Sequence, residues 1–330
     1  MTFALPLFLV AGLHGAVLGY LLSETLIFVV GIVGARHRIA WRSFRPDFGA
    51  VAPYLKVGMA FFAGDVILSA IERSGAVLVR SVTLDYAQVG MFSVSYQVFM
   101  AAVLATHQIS ASFVSIITVL RAKQEHAELT KWIERLVKWL SLLSVLAVLG
   151  SLLLGKEIVP MVLGRAYASA VPNIVVLAAT LLVLPLVHVG SLLSLTHDRP
   201  DMIVMAAATR LGCFWAVGVS LVSRWGSLGA CYTVLLAIMV QAAYLVVKHR
   251  ALLRPAFRRW LLVILTGLGF APLVFLRGGP ALNVALYLLA AGGYLIILRS
   301  VGVISARELQ AAYAALGAAR LARRGGRGSA

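Results

Sequence analysis

The chain has 330 residues, 61% of them hydrophobic and 12% charged, with a mean hydropathy of +0.96 and a formal net charge of +17. These values exclude an ordinary soluble domain, in which about a quarter of the residues are charged. Several apolar runs exceed the roughly 18 residues that read as a transmembrane helix. They are continuous and lack the alternating ten-residue segments of a barrel, so the sequence reads as an all-α polytopic membrane protein.

In chain order, residues 1–11 form an apolar fragment too short to cross a bilayer, separated by Pro6 and Gly12 from the first full span. The opening "MTFALPLFLVAGLHG" lacks the basic start of a signal peptide. Nine complete spans are expected, at 13–35, 54–80, 88–118, 139–155, 172–195, 201–222, 227–247, 260–276 and 281–299.

The connections alternate in charge. Arg36, Arg38, Arg42, Arg45 and Lys56 lie between spans one and two, and Arg121, Lys123, Lys131, Arg135 and Lys138 come after span three. Lys248, Arg250, Arg254, Arg258 and Arg259 come after span seven, and the tail adds six arginines from Arg299 to Arg327. With Arg199, one side holds about 22 of the 29 bases and the other about five. The positive-inside rule makes the basic side, with the C-terminus, cytoplasmic. Orientation and contact with anionic membrane lipids account for the charge, and no nucleic-acid partner is needed. Cys213 and Cys231 fall in predicted spans without metal-ligand or redox spacing, and read as small buried hydrophobes.

Two stretches echo each other. "GAVLGYLLSETLIFVVGIVGARHR" (15–38) and "GSLGACYTVLLAIMVQAAYLVVKHR" (226–250) share a Leu-Gly start and a basic-His-Arg end. Chance similarity accounts for this as well as a parallel repeat about an axis along the membrane normal does.

Span two carries an unusual load. "GDVILSAIERSGAVLVR" (64–80) holds Asp65, Glu72, Arg73 and Arg80. A central charge costs roughly 2.5–3.5 kcal/mol in a membrane helix. At 100° per residue Asp65, Ser69, Glu72, Ala76 and Arg80 share a wedge of about 80°, with Arg73 at its edge. None of the charges is spaced three or four from another, so they do not pair along the helix. In span three Ser93, Gln97, His107, Gln108 and Ser115 also share a side. Glu24, His188 and Arg210 lie within spans one, five and six. Intramembrane ionisable groups face a bundle interior or a wet cavity. The candidate substrate-binding residues of a polar, partly cationic cavity are therefore Asp65, Ser69, Glu72, Arg73, Gln97, His107 and Arg210. Structural ion pairs, such as Glu72 with Arg210, are the alternative, and Arg80 at the outer end can simply snorkel.

"IERSGAVLVRSVTLDYAQVGMFSVSYQV" carries an acidic-Arg pair, Glu72-Arg73, then a short loop and a Val-Gly-aromatic turn at Val89-Gly90 and Phe92. With the Gly164, Tyr167 and Ala170 of "EIVPMVLGRAYASAVP", and with "SLGACYTV", it resembles the Wzx-type oligosaccharide flippases of the multidrug/oligosaccharidyl-lipid/polysaccharide exporter superfamily. The resemblance covers roughly residues 12–250. It implies two six-helix lobes plus two helices, a V-shaped cavity and alternating access. It also implies polyprenyl-pyrophosphate-linked oligosaccharide (an O-antigen or exopolysaccharide unit) as substrate, moved across a bacterial inner membrane. On this reading residues 1–45 are the end of an N-terminal lobe, 46–250 a six-helix C-terminal lobe, and 251–330 two further helices with a basic tail. Most of the first lobe is then absent from these 330 residues. A partner lobe or polysaccharide assembly proteins become expected partners. No cofactor is implied, and the coupling ion, proton or sodium, stays open.

Other classes stay open. Another exporter of the same superfamily, for a drug or a lipid-linked peptidoglycan precursor, fits the same spans. A non-transporting scaffold fits a single lobe. An integral-membrane polysaccharide polymerase would need a large basic outer loop, whereas the longest outer connection, about 155–171, holds only Lys156 and Arg165. No nucleophile–base constellation, His-Glu metal motif or phosphate-cradling glycine loop is present, which argues against an enzyme.

Overall fold

A computed structural model describes residues 4–35, 48–197 and 199–303. It divides into two compact units, Met1–Lys56 and Val57–Ala330. The first contains α1 (Ala4–Ala35), in which Gly12 has a φ of +58° at the place where the sequence separates a fragment from a span. Ser23 and Thr25 donate to the carbonyls of Gly19 and Leu21, one turn back, at 2.9 and 2.8 Å. In a helix of membrane length this satisfies both hydroxyls without a neighbour. Glu24 is exposed.

The second unit takes in most of α2 (Phe48–Thr83), which begins in the first. It continues with α3 (Tyr86–Ala111), α4 (Val114–Ala122), α5 (His126–Leu163), α6 (Val171–Leu181), α7 (Leu184–Thr196), α8 (Pro200–Lys248), α9 (Arg250–Leu268) and α10 (Pro280–Ser300). By length and apolar content six helical segments can cross a membrane, and α6–α7, bent by 43° at its break, makes a seventh. A straight α8 of 49 residues would extend about 74 Å, more than twice the hydrocarbon thickness of about 30 Å. It is folded at Gly226 (φ +56°, ψ −131°) and supplies two crossings. The 36-residue α2 is long enough to cross but carries Asp65, Glu72, Arg73 and Arg80. Length and apolar content alone thus give six or seven crossings among the described residues, and the nine expected from the sequence are reached only by counting the charged α2 and taking α8 as two.

The limits of these crossings differ from expectation in several places, among them the predicted span 88–118, which is divided into α3 and α4. Helix α5 starts at His126, thirteen residues before the predicted 139, because charged residues end a hydropathy peak without ending a helix. Its Glu134 meets Arg259 of α9 at 2.8 Å. Likewise α9 begins at Arg250 and gives way after Leu268 to a 3-10 turn at Ala271–Leu276. The predicted continuous span 172–195 is two helices.

That break arises from Pro185, which has no N–H to donate to residue 181. Leu186 N bonds the Val183 carbonyl instead of that of Leu182. The freed Leu182 carbonyl accepts from the Trp260 indole of α9 at 2.8 Å. Trp260→Phe keeps the ring stacked on Phe257 but strands that carbonyl. The expected cost is about 1–3 kcal/mol, seen as a melting midpoint several degrees lower for the detergent-solubilised protein. An unchanged midpoint contradicts the assignment.

Two cores hold the second unit. The larger joins α2 to α8 through Leu78, Phe92, Phe99, Leu136, Leu193, Phe214 and Ile238, with neighbours such as Leu253 of α9. The smaller packs α9 and α10 on the far half of α5 through Val145, Leu149, Val263, Leu286, Ala290 and Tyr294. The second unit is thus an all-helical bundle in which α9 contributes to both cores and α10 to the smaller one. Lipid gives no hydrophobic drive between helices, so close approach at small residues matters. Leu78 of α2 lies over Gly218 of α8, where a Cβ would come within 2.7 Å of its side chain.

Candidate functional site

The sequence of α2 determines what it presents. Asp65, Leu68 and Glu72, spaced three and four apart, form one ridge, and all three line a cavity of about 430 Å³. Arg73 is turned about 100° from Glu72, and it is exposed outside this lining. Ser69 and Gln97 are likewise exposed and do not line it. Of the seven residues expected from the sequence, the structure brings together Asp65, Glu72, His107 and Arg210. Arg80 belongs elsewhere. Its guanidinium donates to the Leu84 carbonyl and lies 3.7 Å from the Tyr86 ring centroid, closing the α2–α3 turn where Asp85 caps α3.

The other walls come from α3, α7 and both arms of α8. Helix α3 contributes Tyr96, Phe99, Met100, Val103, His107 and Ser110. The α7 segment beyond the break supplies His188 and Ser191, and α8 supplies Arg210 from its first arm and Gln241 from its second. Phe92, Tyr96 and Phe99 stack along α3 with centroids 5.5 and 5.7 Å apart, which fixes the Tyr96 ring. The lining therefore holds two carboxylates, one arginine and two histidines, with Arg210 as its only arginine.

Arg210 is coupled electrostatically to the Tyr96 hydroxyl beside it and to Glu72. Glu72 and Arg210 form no contact ion pair, and the contact pairs among the described residues include Lys131–Glu128, Arg199–Asp201 and Arg259–Glu134. Five buried side-chain atoms among the described residues have no well-formed hydrogen bond: Tyr96 Oη, Arg210 Nε and Gln241 Oε1 at this cavity, and Glu157 Oε2 and Arg277 Nε outside it. Tyr96 and Arg210 are close enough for a weak interaction with each other. Tyr96 and Gln241 are only 8% and 5% exposed. Burying such atoms unpaired costs about 1–3 kcal/mol each, and here three of the five belong to side chains that line one cavity. His188 Nε2 lies 3.2 Å from Thr106 Oγ1, and its ring centroid is 5.6 Å from that of His107. Among the described residues no group of three or more His, Cys, Asp or Glu side chains could hold a metal ion.

Sequence reasoning did not single out Tyr96 or Gln241. Tyr96 is hidden in an aromatic run on the apolar face of α3. Gln241 does carry a signal, as the one amide in the apolar stretch "VLLAIMVQAAYLVV". A buried amide in a membrane helix needs a partner.

A family model described as "Polysaccharide biosynthesis protein" matches residues 2–172, just over half of the chain. That stretch includes Asp65, Glu72, Tyr96 and His107, while His188, Arg210 and Gln241 lie beyond it. No curated protein matches the sequence significantly. Among solved structures, the lipid II flippase MurJ in its inward closed conformation superimposes with a TM-score of 0.63 at 12% identity. The match covers 90% of this chain and 65% of that one, so the chain spans about two thirds of the MurJ structure. At that identity the likeness is one of fold. A multi-pass helical protein that matches the family model over more than half its length, this chain belongs to the polysaccharide biosynthesis protein family.

Proposed function

We propose that the chain takes part in moving a polyprenyl-pyrophosphate-linked oligosaccharide across the bacterial inner membrane, and that the cavity between α2, α3, α7 and α8 receives its head. The observation that carries this reading is the set of buried atoms without a well-formed hydrogen bond on Tyr96, Arg210 and Gln241. A pyrophosphate offers only acceptors, which suit a guanidinium fork and a phenol O–H. The Gln241 carbonyl oxygen can accept a sugar hydroxyl. A volume of about 430 Å³ falls in the range of small-ligand pockets, ~300–1,000 Å³. It suits a head group, with the prenyl chain left in lipid. Family membership and the MurJ-like fold support translocation of a lipid-linked precursor in general.

The orientation is read from charge, with the basic ends and the C-terminus cytoplasmic. The cavity lies nearer those ends, between the residue 200 and 248 termini of α8 and mid-membrane, which suits loading from the cytoplasmic leaflet. Asp65, Glu72 and Arg73 are exposed on α2. Such charges suit an aqueous pathway shared with a second, partner lobe.

The test uses the 330-residue chain in nanodiscs, titrated with a polyprenyl-pyrophosphate disaccharide and with the matching polyprenol, and read by native mass spectrometry. Saturable binding of the pyrophosphate lipid, at least tenfold tighter than the polyprenol, is expected. Equal binding of the two contradicts a phosphate-recognising cavity.

A further inference from the structure

We propose that His107 and His188 form a one-proton site in the cavity wall, and that the anionic head binds more tightly when the pair is charged. This rests on the cavity being the head-group site.

The geometry comes from two helices. Thr106 and His107 are neighbours on α3, and His188 faces them from the α7 segment beyond the break. The Thr106 hydroxyl has one hydrogen, and the Ala102 and Val103 carbonyls lie 3.2 and 2.9 Å from its oxygen. With that hydrogen given to a carbonyl, the oxygen accepts from His188 Nε2–H at 3.2 Å. His188 Nδ1 then remains as the basic nitrogen. His107 is exposed, and its ring centroid is 5.6 Å away, inclined by 57°. Two imidazolium charges at that separation in a partly dry wall repel strongly, so adding the second proton is opposed by the first.

The facing charges are Asp65 and Glu72 from α2 and Arg210 from α8, with the Tyr96 phenol of α3 beside them. Helix α4 contributes only Val114 to this lining, and α5 and α6 contribute nothing. The two carboxylates favour a proton on the pair and Arg210 opposes it. An incoming pyrophosphate adds negative charge, as the carboxylates do. Binding it therefore takes up a proton at the pair, and by linkage a proton on the pair strengthens binding. Affinity thus rises as pH falls through the titration of the pair. A carrier with this linkage moves a proton together with its anionic cargo.

Two measurements test this. The first needs no ligand. Histidine-labelled protein in nanodiscs is titrated by NMR, and the His188 midpoint is measured in the native chain and in His107→Gln. Removing the neighbouring charge should raise the His188 midpoint. If His107→Gln does not fold, His107→Asn takes its place. An unmoved midpoint shows two independent histidines and overturns the pair.

The second is calorimetry of the pyrophosphate lipid in two buffers of different ionisation enthalpy. The native chain should take up about one more proton than the His107→Gln/His188→Gln double variant, which shares the ligand's own titration. Equal uptake overturns the linkage even where the pair is real. Failure of the native chain to bind while its histidines still titrate as a coupled pair counts against the head-group reading, and with it the linkage, but not the pair.

Discussion

Arg210→Ala should weaken binding of a polyprenyl-pyrophosphate disaccharide by about tenfold to a hundredfold, with the protein level nearly unchanged. The size reflects the roughly 1.5–3 kcal/mol carried by a hydrogen bond to a charged group. Arg210 is the arginine of the cavity lining and makes no contact ion pair, so truncation removes ligand contacts and a weak interaction with Tyr96 without breaking a salt bridge. Arg210→Lys keeps the charge without the planar fork and should fall between the two. The competing account makes Arg210 the structural counter-ion of Glu72, to which it is coupled through space. On that account Arg210→Ala strands a carboxylate and lowers protein level, and Glu72→Arg with Arg210→Glu restores it, because broken buried pairs typically cost about 3–5 kcal/mol. Normal binding by a stable Arg210→Ala removes Arg210 from the site.

A large loss of stability is expected at Gly226. Its φ of +56° with ψ of −131° is a conformation that side chains with a Cβ avoid, and a Cβ there would come within 2.8 Å of Gln88 Oε1. That oxygen accepts the Ser227 N–H at 2.9 Å, and Asn173 Nδ2 donates to Ser227 Oγ at 3.0 Å. The fold in α8 is thus tied to α3 and α6 and sets the angle between the arms that carry Arg210 and Gln241. Gly226→Val should cost about 3 kcal/mol or more, from strain of order 1–3 kcal/mol together with the displaced Gln88. It should lower the amount of folded protein recovered from membranes several-fold. Gln88→Ala, which leaves the glycine but orphans the Ser227 N–H, should cost about 1–3 kcal/mol. A native-like melting point for Gly226→Val would mean that the break is not needed.

The polytopic helical architecture was legible in the sequence because hydropathy records long apolar spans directly. Their limits were less so. The predicted gap between 222 and 227 marks the α8 fold, since Gly226 breaks the pattern, whereas the Pro185 break went unseen because residues 174–187 around it hold no charged residue to interrupt the hydropathy. The site was half legible. A helical wheel puts Asp65, Ser69, Glu72 and Arg73 near one another, but a face is broader than a cavity wall, and only tertiary packing selects the Asp65–Leu68–Glu72 ridge. Gln97 fails for the same reason. His188 was visible as an intramembrane base, but its nearness to His107 is a contact over 81 positions that no local pattern encodes. Tyr96 and Gln241 matter because each buries an atom without a well-formed hydrogen bond, a property that exists only once the chain is folded.

The central claim is that the head of a lipid-linked oligosaccharide occupies the cavity between α2, α3, α7 and α8. The most direct measurement is photocrosslinking in native membranes, with a diazirine on the first sugar of a polyprenyl-pyrophosphate disaccharide and peptide mapping of the labelled chain. The account predicts label on the segments around Tyr96–Ser110, Val187–Leu195 and Ile238–Gln241, competed away by excess unlabelled pyrophosphate lipid and weakened in Arg210→Ala. Label confined to the exposed apolar faces of α9 and α10, or unaffected by competitor, would contradict it.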